Sequence, residues 1–142
     1  MQFRQIALYG LIGLSFAALV LGGWFRSQPD VNIGKRLAMN SCGVCHDLTP
    51  SQTHERGPYL WGVYGRPAGI SGFKHSEAFL GKIQEKSFVW DDEHLNLFIA
   101  NPSQFIPRTK MGRKSAKHPT AFDGIVSDSN RRDVLAYLKT LR

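Results

Sequence analysis

Apolar residues fall into two regimes along this chain. From Ile6 to Phe25 the sequence is uncharged and almost wholly apolar, whereas beyond Arg26 apolar positions come in short groups at helical spacing, separated by polar or glycine-rich stretches. A run of about twenty residues, at roughly 1.5 Å rise each, crosses a bilayer core of about 30 Å. The first regime therefore predicts a membrane-spanning helix. A cleavable export signal is the rival, with Val20-Leu21-Gly22 as a weak small-residue site; the length of the run and Trp24 at its interfacial end favour a retained anchor. The expected organisation is an N-terminal transmembrane anchor over 1–26, a short linker over 27–30 and one compact domain over 31–142.

In the second regime, Asp30 can cap a helix over Val31 to Ser41, with Val31, Leu37 and Met39 turned inward and Lys35 and Arg36 outward. Asp128 or Ser129 can start a helix running through Leu141, with Val134, Leu135, Tyr137 and Leu138 at core spacing. Between them Asp91 begins a third segment, His94 to Ala100, which Pro102 stops. Gly57 to Gly72 is dense in glycine and proline and reads as a loop wrapped around something. Strand patterning is scarce, so the expected class is all-α. The 116 residues after Arg26 suffice for one domain and not for two.

Cys42-Gly43-Val44-Cys45-His46 supplies what the loop could wrap. Two thiols separated by two residues, followed directly by histidine, form the attachment pattern of a c-type haem, in which each thiol adds to one vinyl group and the imidazole binds the iron. These are the only cysteines in the chain, so none remains for a disulfide or a four-cysteine zinc site. A dithiol redox pair would need alternating strand and helix context. A zinc site would need a second ligand pair at tight spacing, which His54, His75, His94 and His118 do not offer. One covalent haem c is the expected cofactor.

The iron then needs a sixth ligand or an open position. Met1 lies in the anchor, and Met39 lies one helical turn before Cys42, on the side of His46. Met111, at the end of the proline-stiffened stretch Asn101 to Met111, is free to approach the opposite face; His118 is the competing ligand. A thioether opposite an imidazole raises the reduction potential and keeps substrate off the iron, which means electron transfer.

The residues named so far resemble class I cytochromes c, of the mitochondrial-like, membrane-anchored bacterial type. The resemblance runs from Val31 to Leu141. It rests on Gly34, Cys42-x-x-Cys45-His46, Gly57-Pro58-x-Leu60-x-Gly62, Tyr64-Gly65-Arg66, Trp90, Asn101-Pro102, Ile106-Pro107-x-Thr109-Lys110-Met111 and Asp133-x-x-Ala136-Tyr137-Leu138. It implies a class I cytochrome c fold around the covalent haem, with His46 and Met111 as iron ligands. It also implies that the Pro58 carbonyl accepts from the His46 ring, that Arg66, Trp90 and Thr109 serve the haem propionates, and that Gly34 and Tyr137 mark the crossing of the terminal helices. Four positions depart from the family pattern. Arg108 stands where the family usually has glycine, Phe98 and His75 each replace a tyrosine, and Ala38 replaces a large aromatic. An apparent insertion of about nine residues, Gly112 to Thr120, follows Met111 directly.

Charge points at partners. With Arg4 and Arg26 set aside, 16 basic residues face 11 acidic ones, and Arg108, Lys110, Arg113, Lys114 and Lys117 cluster beside the ligand stretch. Such a rim would steer the domain onto acidic docking faces; anionic lipid headgroups are a second candidate for the same cluster. Nucleic acid is not expected. Arg4 and Arg26 nearly balance, so orientation follows from the chemistry: haem is attached outside the bacterial cytoplasmic membrane, which puts the domain in the periplasm and the chain, single-pass, in the inner membrane. The expected function is a non-enzymatic one-electron carrier between a quinol-oxidising cytochrome bc-type complex and a terminal oxidase, possible as a fixed supercomplex subunit because the linker spans at most about 14 Å. A haem peroxidase or gas-binding sensor with a labile Met111 is the alternative.

Overall fold

The computed structural model describes residues 28–112 and 121–142. These residues form α1 (Val31–Ser41), α2 (Glu77–Glu85), α3 (Asp92–Ala100), α4 (Pro102–Phe105) and α5 (Asp128–Leu138). Among the described residues there is no strand, only an isolated antiparallel bridge between Pro67 and Val89. None of these helices is long and apolar enough to cross a membrane. The expected anchor over 1–26 lies outside the described residues.

Each helix starts where a short polar side chain can satisfy an orphan amide of its first turn. Asp30 accepts from the Asn32 and Ile33 amides, Ser76 from Phe79, Asp91 from His94, Asn101 from Gln104 and Ser127 from Asn130. Two expectations need correction here. Pro102 ends α3 but also opens α4, because a proline at the first helical position loses no hydrogen bond and has its φ preset. The last helix is capped by Ser127 and ends at Leu138; Leu141 is buried beyond it in a turn, and its carbonyl accepts from Gly62 N–H at 2.7 Å.

The terminal helices α1 and α5 pack directly on each other. A Cβ on Gly34 would overlap the Asp133 carbonyl, so the backbones approach as closely as glycine alone permits. That closeness overturns the expected inward face of α1. Val31 and Met39 are 40 % and 48 % exposed, Leu37 is only partly buried, and the buried positions are Gly34 and Ala38. A stripe of small residues one turn apart faces α5, and the larger apolar side chains are rotated off it. The Asp30 amide, donating to the Asp133 carboxylate at 2.8 Å, pins the start of α1 to the same partner.

From α5, Val134, Leu135, Tyr137 and Leu138 enter a core shared with Leu95 and Ile99 of α3, and with Ile106, Leu48, Val63, Phe79 and Trp90. The long connection between α1 and α2 folds back through backbone pairs, with Gly65 N–H on the Trp90 carbonyl and Trp90 N–H on the Arg66 carbonyl, each at 2.9 Å. This packing leaves a cavity between the loops and the helical core.

Candidate functional site

One wall of the cavity is a continuation of α1. Cys45 and His46 both donate their amides to the Cys42 carbonyl at 3.0 Å, and this helical turn puts residues three and four apart on one side. The pentapeptide thus presents both thiols and the imidazole to one space. Burial pushes the Cys42 thiol up to about 11, with the proximity of Cys45 adding to it. A thiol held protonated by burial is a weak nucleophile at neutral pH, unlike the activated thiolate of a dithiol redox pair. Among the described residues no cluster of three or more His, Cys, Asp or Glu is placed to hold a metal ion.

His46 is oriented from behind. Its Nδ1 lies 2.6 Å from the Pro58 carbonyl, and since a carbonyl can only accept, Nδ1 carries the proton and Nε2 offers its lone pair. Burial pulls the imidazole below its ordinary value, outweighing the stabilising carbonyl and the more distant Glu55. The neutral form is the one that binds metal. Gly57 is what lets the strap come so close: a Cβ there would land on the His46 ring. The strap is closed by Gly57 N–H on the Cys45 carbonyl at 2.9 Å and Leu60 N–H on the Asp47 carbonyl at 2.7 Å.

The cavity has a volume of about 350 Å³. Cys42, Cys45, His46, Pro58, Arg66, Trp90, Thr109 and Met111 all line it, so side chains spread over seventy positions meet in one place. Its walls are otherwise largely apolar, with Leu60, Val63, Ile70, Phe73, Phe79 and Phe98 among them. Arg66 supplies a decisive detail. Its two terminal nitrogens donate to the carbonyls of Tyr59 at 2.9 Å and Trp61 at 3.1 Å, and its carbon sits 4.8 Å over the Tyr59 ring. Its Nε is buried with no partner. A buried charged donor left open is costly, and an anionic group entering the cavity would satisfy it. Two thiols, a neutral imidazole with a free Nε2, a thioether and an unpaired guanidinium N–H are together a donor set that fits a haem with its propionates.

Comparison with known proteins agrees. The family model described as cytochrome c matches residues 31–142. The chain belongs to the cytochrome c family. It is 38 % identical over 114 residues to cytochrome c of Euglena viridis, covering 80 % of this chain and 98 % of that protein. It is 42 % identical over 106 residues to a cytochrome c homolog of Bradyrhizobium diazoefficiens and 36 % identical over 111 residues to one of Rickettsia prowazekii, covering 73 % and 78 % of this chain. The chain spans only 50 % and 55 % of the length of those two bacterial relatives. Proteins of the cytochrome c family are electron carriers holding one covalently bound haem c, and this chain has the helical class I fold.

Of the expected docking residues, Lys110 lines the cavity and Arg108 is exposed nearby, whereas Arg113, Lys114 and Lys117 lie outside the described residues, as do the competing ligand His118 and most of the insertion. Sequence reading missed Arg56 and Lys74, which also line the cavity. They come from separate loops, so no local charge run announces them. It also missed α2, which brings Phe79 against Trp90 at 6.2 Å between ring centroids. Ser76 followed by Phe79 and Ile83, four residues apart, carried that signal. Among the departures, His75 donates from Nε2 to the Ile70 carbonyl at 3.1 Å and stacks on Phe79, and Phe98 lies 5.2 Å from Trp90. Both positions are therefore filled by aromatic packing.

Proposed function

We propose that the protein is a membrane-anchored one-electron carrier of a bacterial respiratory chain, its haem domain in the periplasm, passing electrons from a quinol-oxidising cytochrome bc-type complex to a terminal oxidase. The observation that carries the electron-transfer part is the convergence of Cys42, Cys45, His46 and Met111 on one apolar cavity. A haem bound there supplies the one-electron couple. Cys42 and Cys45 would hold it covalently, and His46, through its free Nε2, and Met111 would be the residues that ligate its iron. Pro58 fixes the plane and tautomer of His46. Arg66, whose Nε is unpartnered, would receive a propionate, with Trp90 and Thr109 beside it in the cavity wall. The apolar walls exclude water, which favours the less charged reduced state and lowers reorganisation on transfer.

Location rests on the sequence of the first segment. The apolar run from Ile6 to Phe25 has the length of a bilayer span, and a linker reaching at most about 14 Å keeps the domain at the membrane surface. So short a tether leaves little swing between separate complexes and favours a fixed place in a supercomplex. Identity to bacterial cytochrome c homologs supports the bacterial setting. Arg56, Lys74 and Lys110 at the cavity, together with the basic run from Arg108 to Lys117, suit acidic docking faces.

Two measurements test this reading. Oxidised protein purified with its haem should show the weak long-wavelength absorption band of a thioether–iron bond, and the reduced protein should bind carbon monoxide poorly. Absence of the band with ready carbon monoxide binding would instead indicate a peroxidase or gas sensor. Cell fractionation with haem staining at intact mass should find the protein in membranes; a soluble, shortened form would refute the anchor.

A further inference from the structure

The stretch that leads the chain into Met111 holds a strained turn. Thr109 N–H donates to the Ile106 carbonyl at 3.0 Å, closing the turn Ile106-Pro107-Arg108-Thr109. Pro107 takes its second position and Arg108, at φ +65°, its third, which makes it a type II turn. That third position needs left-handed backbone. Glycine adopts it freely, while a residue with a Cβ pays for it by a factor of roughly 5 to 30 in population. The ends of the turn cannot yield to relieve the strain, since Ile106 is 1 % and Thr109 4 % exposed, and the Ile106 amide is held on the carbonyl of buried Pro102 at 2.9 Å. The strain is confined to the tip, three residues before Met111.

Gln52, at φ +53°, is the other non-glycine residue with left-handed backbone among the described residues. There the Thr49 and Thr53 amides flanking Gln52 both donate to the Asp47 carboxylate, at 2.8 and 2.9 Å, so one anchor clamps the conformation from both sides. At Arg108 the corresponding conformation sits on the segment that delivers a ligand.

We propose that Arg108 is a positioning residue that keeps the Met111 arm labile: strain held at residue 108 makes opening of the 106–109 turn easier, so that Met111 gives way to a small exogenous ligand more readily than it would with glycine there. The inference rests on the reading of Met111 as the second axial ligand. Its consequence is a second, minor state of the same pocket in the oxidised protein, in which an anion or small neutral molecule such as azide or imidazole replaces the thioether. Glycine would remove the strain but add freedom to the opened arm, an offset of roughly 2- to 5-fold. The net change in exchange with Arg108→Gly is a decrease of roughly 2- to 10-fold.

Three variants of the haem-loaded protein separate strain from charge. Arg108→Gly removes both, Arg108→Ala removes the charge and keeps the Cβ, and Arg108→Asn removes the charge and tolerates left-handed backbone. Affinity of the oxidised protein for azide and imidazole should fall in the order wild type and Ala, then Asn, then Gly. Hydrogen exchange of the Thr109 amide, which reads opening of the turn and not the iron, should slow in the same order. Equal behaviour of the Ala and Gly variants would assign the effect to charge and overturn the proposal, as would unchanged Thr109 exchange in Arg108→Gly. If wild-type protein lacked the thioether–iron band, the ligand reading would fail separately, and the Thr109 series would still decide whether the turn stores strain.

Discussion

Replacing Gly34 with alanine sets local helix preference directly against tertiary packing. In an isolated helix the change is favourable by about 1 kcal/mol, because alanine has less backbone freedom to lose. In the folded protein the new Cβ overlaps the Asp133 carbonyl oxygen, lies 2.5 Å from its carbon and meets the Tyr137 Cβ at 3.1 Å. The obstructing atom is backbone in the middle of α5, so no rotamer change relieves it. The helices must separate, which costs about 1–3 kcal/mol for an inserted methyl in a tight core. Separation also loosens the bond from the Asp30 amide to the Asp133 carboxylate, a charge-assisted contact of about 1.5–3 kcal/mol. After subtracting the helix gain, Gly34→Ala should destabilise the domain by roughly 2–4 kcal/mol. At about 4 °C per kcal/mol for a domain of this size, the midpoint should drop by roughly 8–16 °C. Thermal unfolding followed by far-ultraviolet circular dichroism reads the loss, and a peptide spanning α1 should become more helical with the same change. A full-length variant as stable as wild type, beside a more helical peptide, would refute the close crossing.

Other outcomes follow from the site and its surroundings. Arg66→Leu should lower the reduction potential, because a cation near the iron favours the reduced state, and should also lower the thermal midpoint through loss of the bonds to Tyr59 and Trp61; redox titration showing an unchanged potential would remove Arg66 from the haem environment. Asp91 is held below the usual carboxylate range first by the His94 amide and then by the His94 ring, so the folded state releases its proton sooner than the unfolded chain. Its contribution is present above about pH 4 and lost as the pH falls through the lowered folded value; the stability gap between wild type and Asp91→Ala should therefore close on acidification, and a constant gap would show that the carboxylate charge is irrelevant to the cap. Glutamate at Arg113, Lys114 and Lys117 should slow electron transfer at low ionic strength and leave the haem spectrum unchanged, an unaltered rate excluding that run as the docking surface.

How much of this could be read from the chain depends on the range over which each feature is determined. The attachment turn is local: three residues within five positions need only a helical turn to converge, so sequence alone located Cys42, Cys45 and His46. The caps at Asp30 and Asp91 are local too, and their helices were legible to within a residue or two. The inward face of α1 was not, because hydrophobicity ranked Val31 and Met39 above Gly34, while the close crossing with α5 selects for lack of bulk. Arg56 and Lys74 were invisible for a related reason: loop closure brings them to the cavity, and nothing at their own positions signals it. The free Nε of Arg66 is a property of three-dimensional hydrogen bonding that no sequence motif encodes. Family resemblance reached several such residues by position, but their physical roles emerge only from the cavity they share.

The insertion after Met111 bears on how the fold accepts extra chain beside a ligand. Chain leaves the described structure at Gly112 and re-enters at Ala121, and the amide of Phe122 donates to the Met111 carbonyl at 3.2 Å. The two flanks of the insertion are thus joined at their base by a backbone bond. Phe122 lines the same cavity as Met111, and directly after Gly124 the chain is secured again through Ile125 N–H on the Ile99 carbonyl at 2.8 Å and Arg131 on the Ile125 and Val126 carbonyls. A segment bracketed in this way can change length and charge without altering the backbone that carries Met111 or the ring that closes the cavity beside it. The length and charge of the insertion are thereby separated from the redox site, whereas Arg108, at φ +65°, lies within the ligand arm itself.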